Sequence, residues 1–243
     1  MRAVDKWAIE EMGIPSVVLM ENAGSSIVRR LQEILPDLSS KKVIIFCGKG
    51  NNGGDGFVIA RHLTQLGVNT TILLTGTFAD LKEDAKINAI LAKNLEIPIQ
   101  ELNADNISKF EHKLHHAEIF VDALFGTGLS KPVTGFMETV INKINHYQKY
   151  TISVDINSGI DSDSGNLIGP HVLSDITFAL ASLKKSHLLH PAAGSMKKVE
   201  LLDIGIPDHY HKNIQTHLLE EKDIKNIFQS RQPDSHKGNY GHV

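Results

Sequence analysis

Phe46-Cys-Gly-Lys-Gly-Asn-Asn-Gly-Gly-Asp-Gly56 joins the short apolar run Lys42–Phe46 to the apolar segment Phe57-Val-Ile-Ala-Arg-His-Leu63. The run reads as a buried strand and the segment as part of a helix spanning Asp55–Leu66. In this order, strand, glycine loop and helix let loop N–H groups and a helix N-terminus hold a phosphate. Gly50, Gly53, Gly54 and Gly56 permit a tight turn and close approach to a ligand; the structural alternative is a glycine turn that only packs strand on helix. Asn51, Asn52 and Asp55 bring side-chain chemistry beyond phosphate holding. Gly48, Gly50 and Gly53 satisfy G-x-G-x-x-G, but a dinucleotide dehydrogenase carries an acid at the end of its next strand. Here that strand runs into Leu74-Thr-Gly-Thr77. A Walker A loop is ruled out because Gly53 is followed by Gly54 rather than Lys-Ser/Thr.

Outward from this stretch, strands and helices alternate. Strands are expected at Lys42–Phe46, Thr70–Leu74, Ile119–Leu124, Thr151–Asp155, Ile176–Ala179 and Val199–Asp203. Helices are expected at Ala3–Met12, Val17–Leu35, Asp55–Leu66, Asp80–Asn94, Ile107–His115 and Met137–Tyr147. The strands are continuous apolar runs, as in a sheet covered by helices on both faces. The expected fold is a three-layer α/β/α sandwich with a Rossmann-like, mostly parallel sheet. The 243 residues can bury a large core, and 41% hydrophobic with 22% charged residues is ordinary globular composition. A net charge of −3 gives no reason to expect nucleic acid or a membrane as partner. The single cysteine, Cys47, fits a reducing, cytoplasmic setting.

In open parallel sheets, ligands bind beyond the carboxyl ends of the strands. Three strands end in notable residues: the first in the Asn51/Asn52/Asp55 loop, another in Asp122 before Phe125-Gly-Thr-Gly-Leu-Ser-Lys-Pro132, another in Asp155 before Asn157-Ser-Gly-Ile-Asp161. Apolar neighbours predict that Asp122 and Asp155 are buried, where a carboxylate needs a cation or a set of hydrogen bonds. Asn52, Asp122 and Ser158 offer hard oxygen ligands suited to an alkali or alkaline-earth ion rather than zinc or copper. The 13 histidines show no metal-ligand spacing and read as surface residues. Lys184 and Lys185 either reach an anionic ligand or form a solvated pair.

With these residues assembled, the chain resembles the NAD(P)H-hydrate epimerase family, the YjeF amino-terminal domain. The resemblance rests on Gly13-Ile-Pro-Ser16, Leu19-Met-Glu-Asn-Ala-Gly24, Gly50-Asn-Asn-Gly-Gly-Asp-Gly56 and Val121-Asp-Ala-Leu-Phe-Gly-Thr-Gly128. Val154-Asp-Ile-Asn-Ser-Gly159, Thr177-Phe with Lys184-Lys185, and Asp203-Ile-Gly-Ile-Pro207 complete it. It implies that Asn51, Asn52, Gly53, Gly54 and Asp55, with Gly126, Thr127, Gly128, Leu129, Ser130, Lys131 and Pro132, bind a small-molecule substrate, the hydrated dinucleotide NADHX or NADPHX. It also implies one potassium ion per subunit on Asn52, Asp122 and Ser158, with Asp155 as the acid/base that contacts the ligand. A homodimer follows from the resemblance alone.

The family's reaction interconverts the R and S forms at C6 of the nicotinamide ring, a hemiaminal carbon. Asp155 would move the hydroxyl proton while C–O or ring C–N cleavage erases the stereocentre. A non-catalytic scaffold of the same fold is the alternative, although such relatives would be expected to lose the loop asparagines and strand-end aspartates. Two departures from the pattern stand out: Lys49, and Asn157 in place of the usual proline, which is expected to loosen the Asp155 loop. Residues 1–230 are read as the epimerase domain. Residues 231–243 are read as a linker and the opening of a fused dehydratase domain.

Overall fold

Seven short strands form one sheet in the order β3-β2-β1-β4-β5-β6-β7, every neighbouring pair parallel. They are β1 (Lys42–Cys47), β2 (Asn69–Thr75), β3 (Ile99–Leu102), β4 (Ile119–Ala123), β5 (Tyr150–Val154), β6 (Ile176–Leu180) and β7 (Val199–Leu202). The helices are α1 (Arg2–Glu10), α2 (Ser16–Ile34), α3 (Asn51–Gln65), α4 (Glu83–Asn94), α5 (Glu111–His116), α6 (Phe136–Tyr147) and α7 (Glu221–Lys225). This computed structural model describes residues 2–207, 216–225 and 234. One compact unit, Met1–Ile206, carries the sheet; a second spans Pro207–Val243, and α7 lies in it. Apart from Asp234, the segment 231–243 lies outside the described residues.

The strands sit in the middle layer because their apolar runs are buried. All five residues of β4 and of β6 are buried, and only Lys42 of β1 is exposed. Phe46 and Phe120 meet edge-to-face across β1 and β4 with ring centroids 5.2 Å apart, a favoured aromatic geometry. The chain first builds outward from β1 to β3, then returns to β4 beside β1 and builds the other way. The order therefore reverses between β1 and β4, and such a switch point is where open α/β sheets bind ligands.

Several elements depart from the sequence reading. Strand β3 was not expected, because Ile-Gln-Glu-Leu is short and its middle residues are exposed; it is an edge strand, where polar residues are tolerated. Asp155 lies outside β5 because its φ is +64°, a left-handed conformation incompatible with a strand. Residues 107–110 form a 3₁₀ turn before α5, so the single helix expected there is broken.

The glycine stretch also differs from expectation. It is the first turn of α3, which starts at Asn51 rather than Asp55, with Gly50 at its N-cap. A Cβ on Gly53 would fall 1.9 Å from the Gly48 carbonyl oxygen, and one on Gly56 would fall 2.7 Å from Cys47 Sγ and 2.8 Å from Ala123 Cβ. These two glycines let α3 lie directly against β1 and β4. The packing alternative thus applies to part of the motif, and it brings the helix N-terminus to the switch point.

Candidate active site

A cavity of about 940 Å³ opens at the carboxyl ends of β1 and β4. Asn51, Asn52 and Asp55 line one part of it, Gly126 to Lys131 another, and Asp155 a third. Most of the expected ligand-binding residues therefore share one space. Gly53, Gly54 and Pro132 are not among the lining residues; Gly54 packs against Met20, whose Cε would lie 2.5 Å from an added Cβ. The first backbone N–H groups of α3 have no intrahelical acceptor. They offer an anion site of the kind the sequence predicts.

Asp122 and Ser158 sit behind the cavity wall as a bonded pair. Asp122 is 0% exposed, and its carboxylate accepts from Ser158 Oγ at 2.5 Å, Ser158 N at 2.9 Å, Ser153 Oγ at 3.0 Å and Leu124 N at 3.3 Å. Burial pushes its pKa up while these donors pull it back, and no cationic side chain contributes. Phe125 N donates to Ser158 Oγ at 2.9 Å, and Asn52 Nδ2 donates to the Phe125 carbonyl at 3.0 Å. Since Asn52 uses its nitrogen in this way, its amide oxygen remains available as an acceptor. Asn52, Asp122, Ser158 and the Phe125 carbonyl thus gather hard oxygens around one buried negative charge. A monovalent cation fits that donor set in charge and in ligand type. The Phe125 carbonyl has no sequence signature, because every residue carries one.

Asp155 is set differently. It is 8% exposed, ion-paired with Lys184, and accepts from Leu180 N at 3.1 Å. Lys184 Nζ also donates to the Leu180 carbonyl at 2.9 Å. Lys184 is therefore neither a ligand hook on the surface nor a solvated residue: it is 7% exposed and its anion is internal, while Lys185 is exposed. His187 holds the main chain of both partners. Its Nδ1 accepts from Lys184 N at 3.0 Å, so Nε2 carries the proton and donates to the Asp155 carbonyl at 2.9 Å. Burial, then the Lys184 charge, lower its pKa to about 4, which keeps the ring neutral. His187 is only 4% exposed and so departs from the expectation of surface histidines.

Asn157 does the opposite of loosening the Asp155 loop. It is 0% exposed; its Nδ2 donates to Val172 O, Ser174 Oγ and Ser195 O at 2.9–3.0 Å, and its Oδ1 accepts from Thr177 Oγ1 at 2.6 Å. Proline would make none of these bonds. Glu21 and Asn22 serve the scaffold: Glu21 binds Arg61 at 2.8 Å and His62 at 2.7 Å, and Asn22 Nδ2 donates to the Ile204 carbonyl at 2.9 Å. Asp5 on α1 also lines the cavity. No motif in its own segment marked it.

A doubly wound parallel sheet, with a helix N-terminus and buried acids at its switch point, defines a Rossmann-like protein with a ligand cavity. The chain belongs to the YjeF-related protein N-terminus family, whose model matches residues 16–186. It is similar to the NAD(P)H-hydrate epimerase of Pirellula staleyi, with 36% identity over 85% of this chain and 90% of that one. It is also 34% identical to the bifunctional NAD(P)H-hydrate repair enzyme Nnr of Moorella thermoacetica, over 100% of this chain and 47% of that protein. The chain thus spans about half the length of its bifunctional relatives. The crystal structure of a yeast protein shares the fold, with TM-score 0.69 and 24% identity over 82% of this chain and 84% of that one. No helix among the described residues is long and apolar enough to cross a membrane.

Proposed function

We propose that this chain epimerises NADHX and NADPHX at C6 of the nicotinamide ring; the reading is supported by relatives named NAD(P)H-hydrate epimerase. The observation that carries the reading is the convergence of the α3 N-terminus, the Gly126–Lys131 loop and the Asp155–Lys184 pair on one cavity at the switch point. The helix N-terminus suits the pyrophosphate. Asp155 moves a proton at the C6 hydroxyl while the stereocentre is lost and re-formed; such acid–base help is worth about 10²–10⁴-fold. Lys184 is ion-paired with Asp155, and His187 fixes the backbone of both.

Asn52, Asp122 and Ser158 would hold a potassium ion, which supplies charge neutralisation beside the dinucleotide loops. A homodimer, a cytoplasmic setting and a fused dehydratase domain in the parent protein belong to the same proposal; they rest on the resemblance and on the bifunctional relatives. The scaffold alternative is not favoured, because the loop amides and both strand-end acids are present and converge. The test is chromatographic separation of R- and S-NADHX after incubation with the protein. The expected result is equilibration of either pure epimer. Rates equal to a protein-free control would overturn the reading.

A further inference from the structure

Asp155 is not the only acid in the cavity. Asp5 and Asp55 line it too, and Lys184 is the amino group that acts on all three. Asp55 is only 9% exposed, yet its carboxyl has no hydrogen-bonding or ion-pairing partner among the described residues. A buried, unpaired carboxylate is costly, and a group so placed keeps its proton instead. The negative charge of Asp155 and Asp5 acts in the same direction. Two carboxyl groups in one cavity, one ion-paired with a lysine and the other without such a partner, are placed to divide labour between base and acid.

We propose that Asp55 is the acid that protonates the departing C6 hydroxyl while Asp155 serves as the base, so that epimerisation proceeds by C–O rather than ring C–N cleavage. The inference rests on the epimerase reading above. The Asp55 proton goes to the C6 oxygen, the C6–O bond breaks, and its electron pair leaves with water. The ring nitrogen's lone pair forms a C=N bond, giving a cationic ring beside three carboxyl groups. A second water then adds to the opposite face of C6, returning the electron pair to nitrogen. Its surplus proton passes to Asp155, which releases it to solvent while Asp55 takes one up, so protons balance over a turnover. An acid-rich cavity favours the cationic intermediate electrostatically, whereas ring opening to an aldehyde produces no such cation.

The groups facing Asp55 are Asp5 from α1, Cys47 from β1, Asp155 after β5 and Lys184 after β6. The cavity's other charged residues, Lys49, Asp80, Lys82, Asp84 and Lys131, are exposed or half-buried. Their influence is weakened by solvent.

The test uses the whole chain and purified R-NADHX in two measurements. In water enriched in oxygen-18, each inversion should place one heavy oxygen at C6, because the departing water lies on the wrong face to return. Asp55→Asn should lower kcat about 100-fold or more, well beyond any change in KM, and the basic limb of the wild-type pH profile should vanish. Inverted product that keeps its original oxygen, or a loss in Asp55→Asn below about tenfold, would overturn the inference while the epimerase reading stands. Should Asp55→Asn fail to fold, Asp55→Glu, which displaces the acid by one methylene, takes its place under the same threshold. A wild-type protein that does not epimerise removes both.

Discussion

Lys184 Nζ meets Asp155 Oδ1 across a separation of 29 residues, with both side chains almost wholly withdrawn from solvent. Lys184 follows β6 and Asp155 follows β5, so the parallel pairing of these strands is what brings the charges together. The left-handed backbone at Asp155, with φ +64°, turns the chain out of β5 at that point.

Removing only the cation should be the damaging change. Lys184→Met leaves Asp155 buried without its partner, a loss of about 3–5 kcal/mol for a buried pair broken on one side. The double variant Lys184→Met with Asp155→Asn should recover part of that loss. Urea unfolding of the wild type, both single variants and the double variant measures the coupling. Additive losses would contradict a coupled pair.

The Asp122–Ser158 cluster predicts a cation-specific gain in stability. Potassium chloride should raise the unfolding midpoint above that in tetramethylammonium chloride of equal ionic strength. A ligand at a hundred times its Kd adds about 2.7 kcal/mol. Asp122→Asn should abolish the difference between the two salts. An equal difference in that variant would place the ion elsewhere.

His187 predicts a pH slope. The folded state lowers its pKa from 6.5 to about 4. Between those values the unfolded chain binds a proton that the native protein excludes, so stability falls as pH drops through this window and is fully present above it. The contribution is no more than about 3 kcal/mol. His187→Gln should flatten this part of the profile, read from urea midpoints between pH 4 and 8; an unchanged slope would assign it to other groups.

Gly56→Ala tests the close packing of α3. The added methyl would meet Cys47 Sγ and Ala123 Cβ inside contact distance. Overpacking of this kind costs about 1–3 kcal/mol. Thermal unfolding should show the loss, while Gly50→Ala, whose Cβ meets nothing within 4 Å, should be much milder.

Much of this was legible before folding. Apolar runs bounded by turns marked six of the seven strands, and β3 escaped because Gln100 and Glu101 face solvent at the sheet edge. Asp122, Asp155 and Asn52 were recognisable because a polar residue at the end of a buried strand, or beside glycines ahead of a helix, has few structural reasons to be there. The paired roles of Lys184 and His187 could not be read, since nothing local says that a lysine after β6 will face inward. Asp5 was invisible for the same reason.

The sequence alone therefore determined six of the seven strands, the main helices, and which side chains stand at the strand ends, because periodicity and turn chemistry act over a few residues. Tertiary structure alone decided which of those side chains became partners. Reversal of strand order between β1 and β4 opened the cavity, and parallel pairing of β5 with β6 set Lys184 against Asp155 while Asp55 was left without an ion-pair partner among the described residues. Charges so far apart along the chain acquire their environment only when the sheet and its crossing helices exclude water from around them.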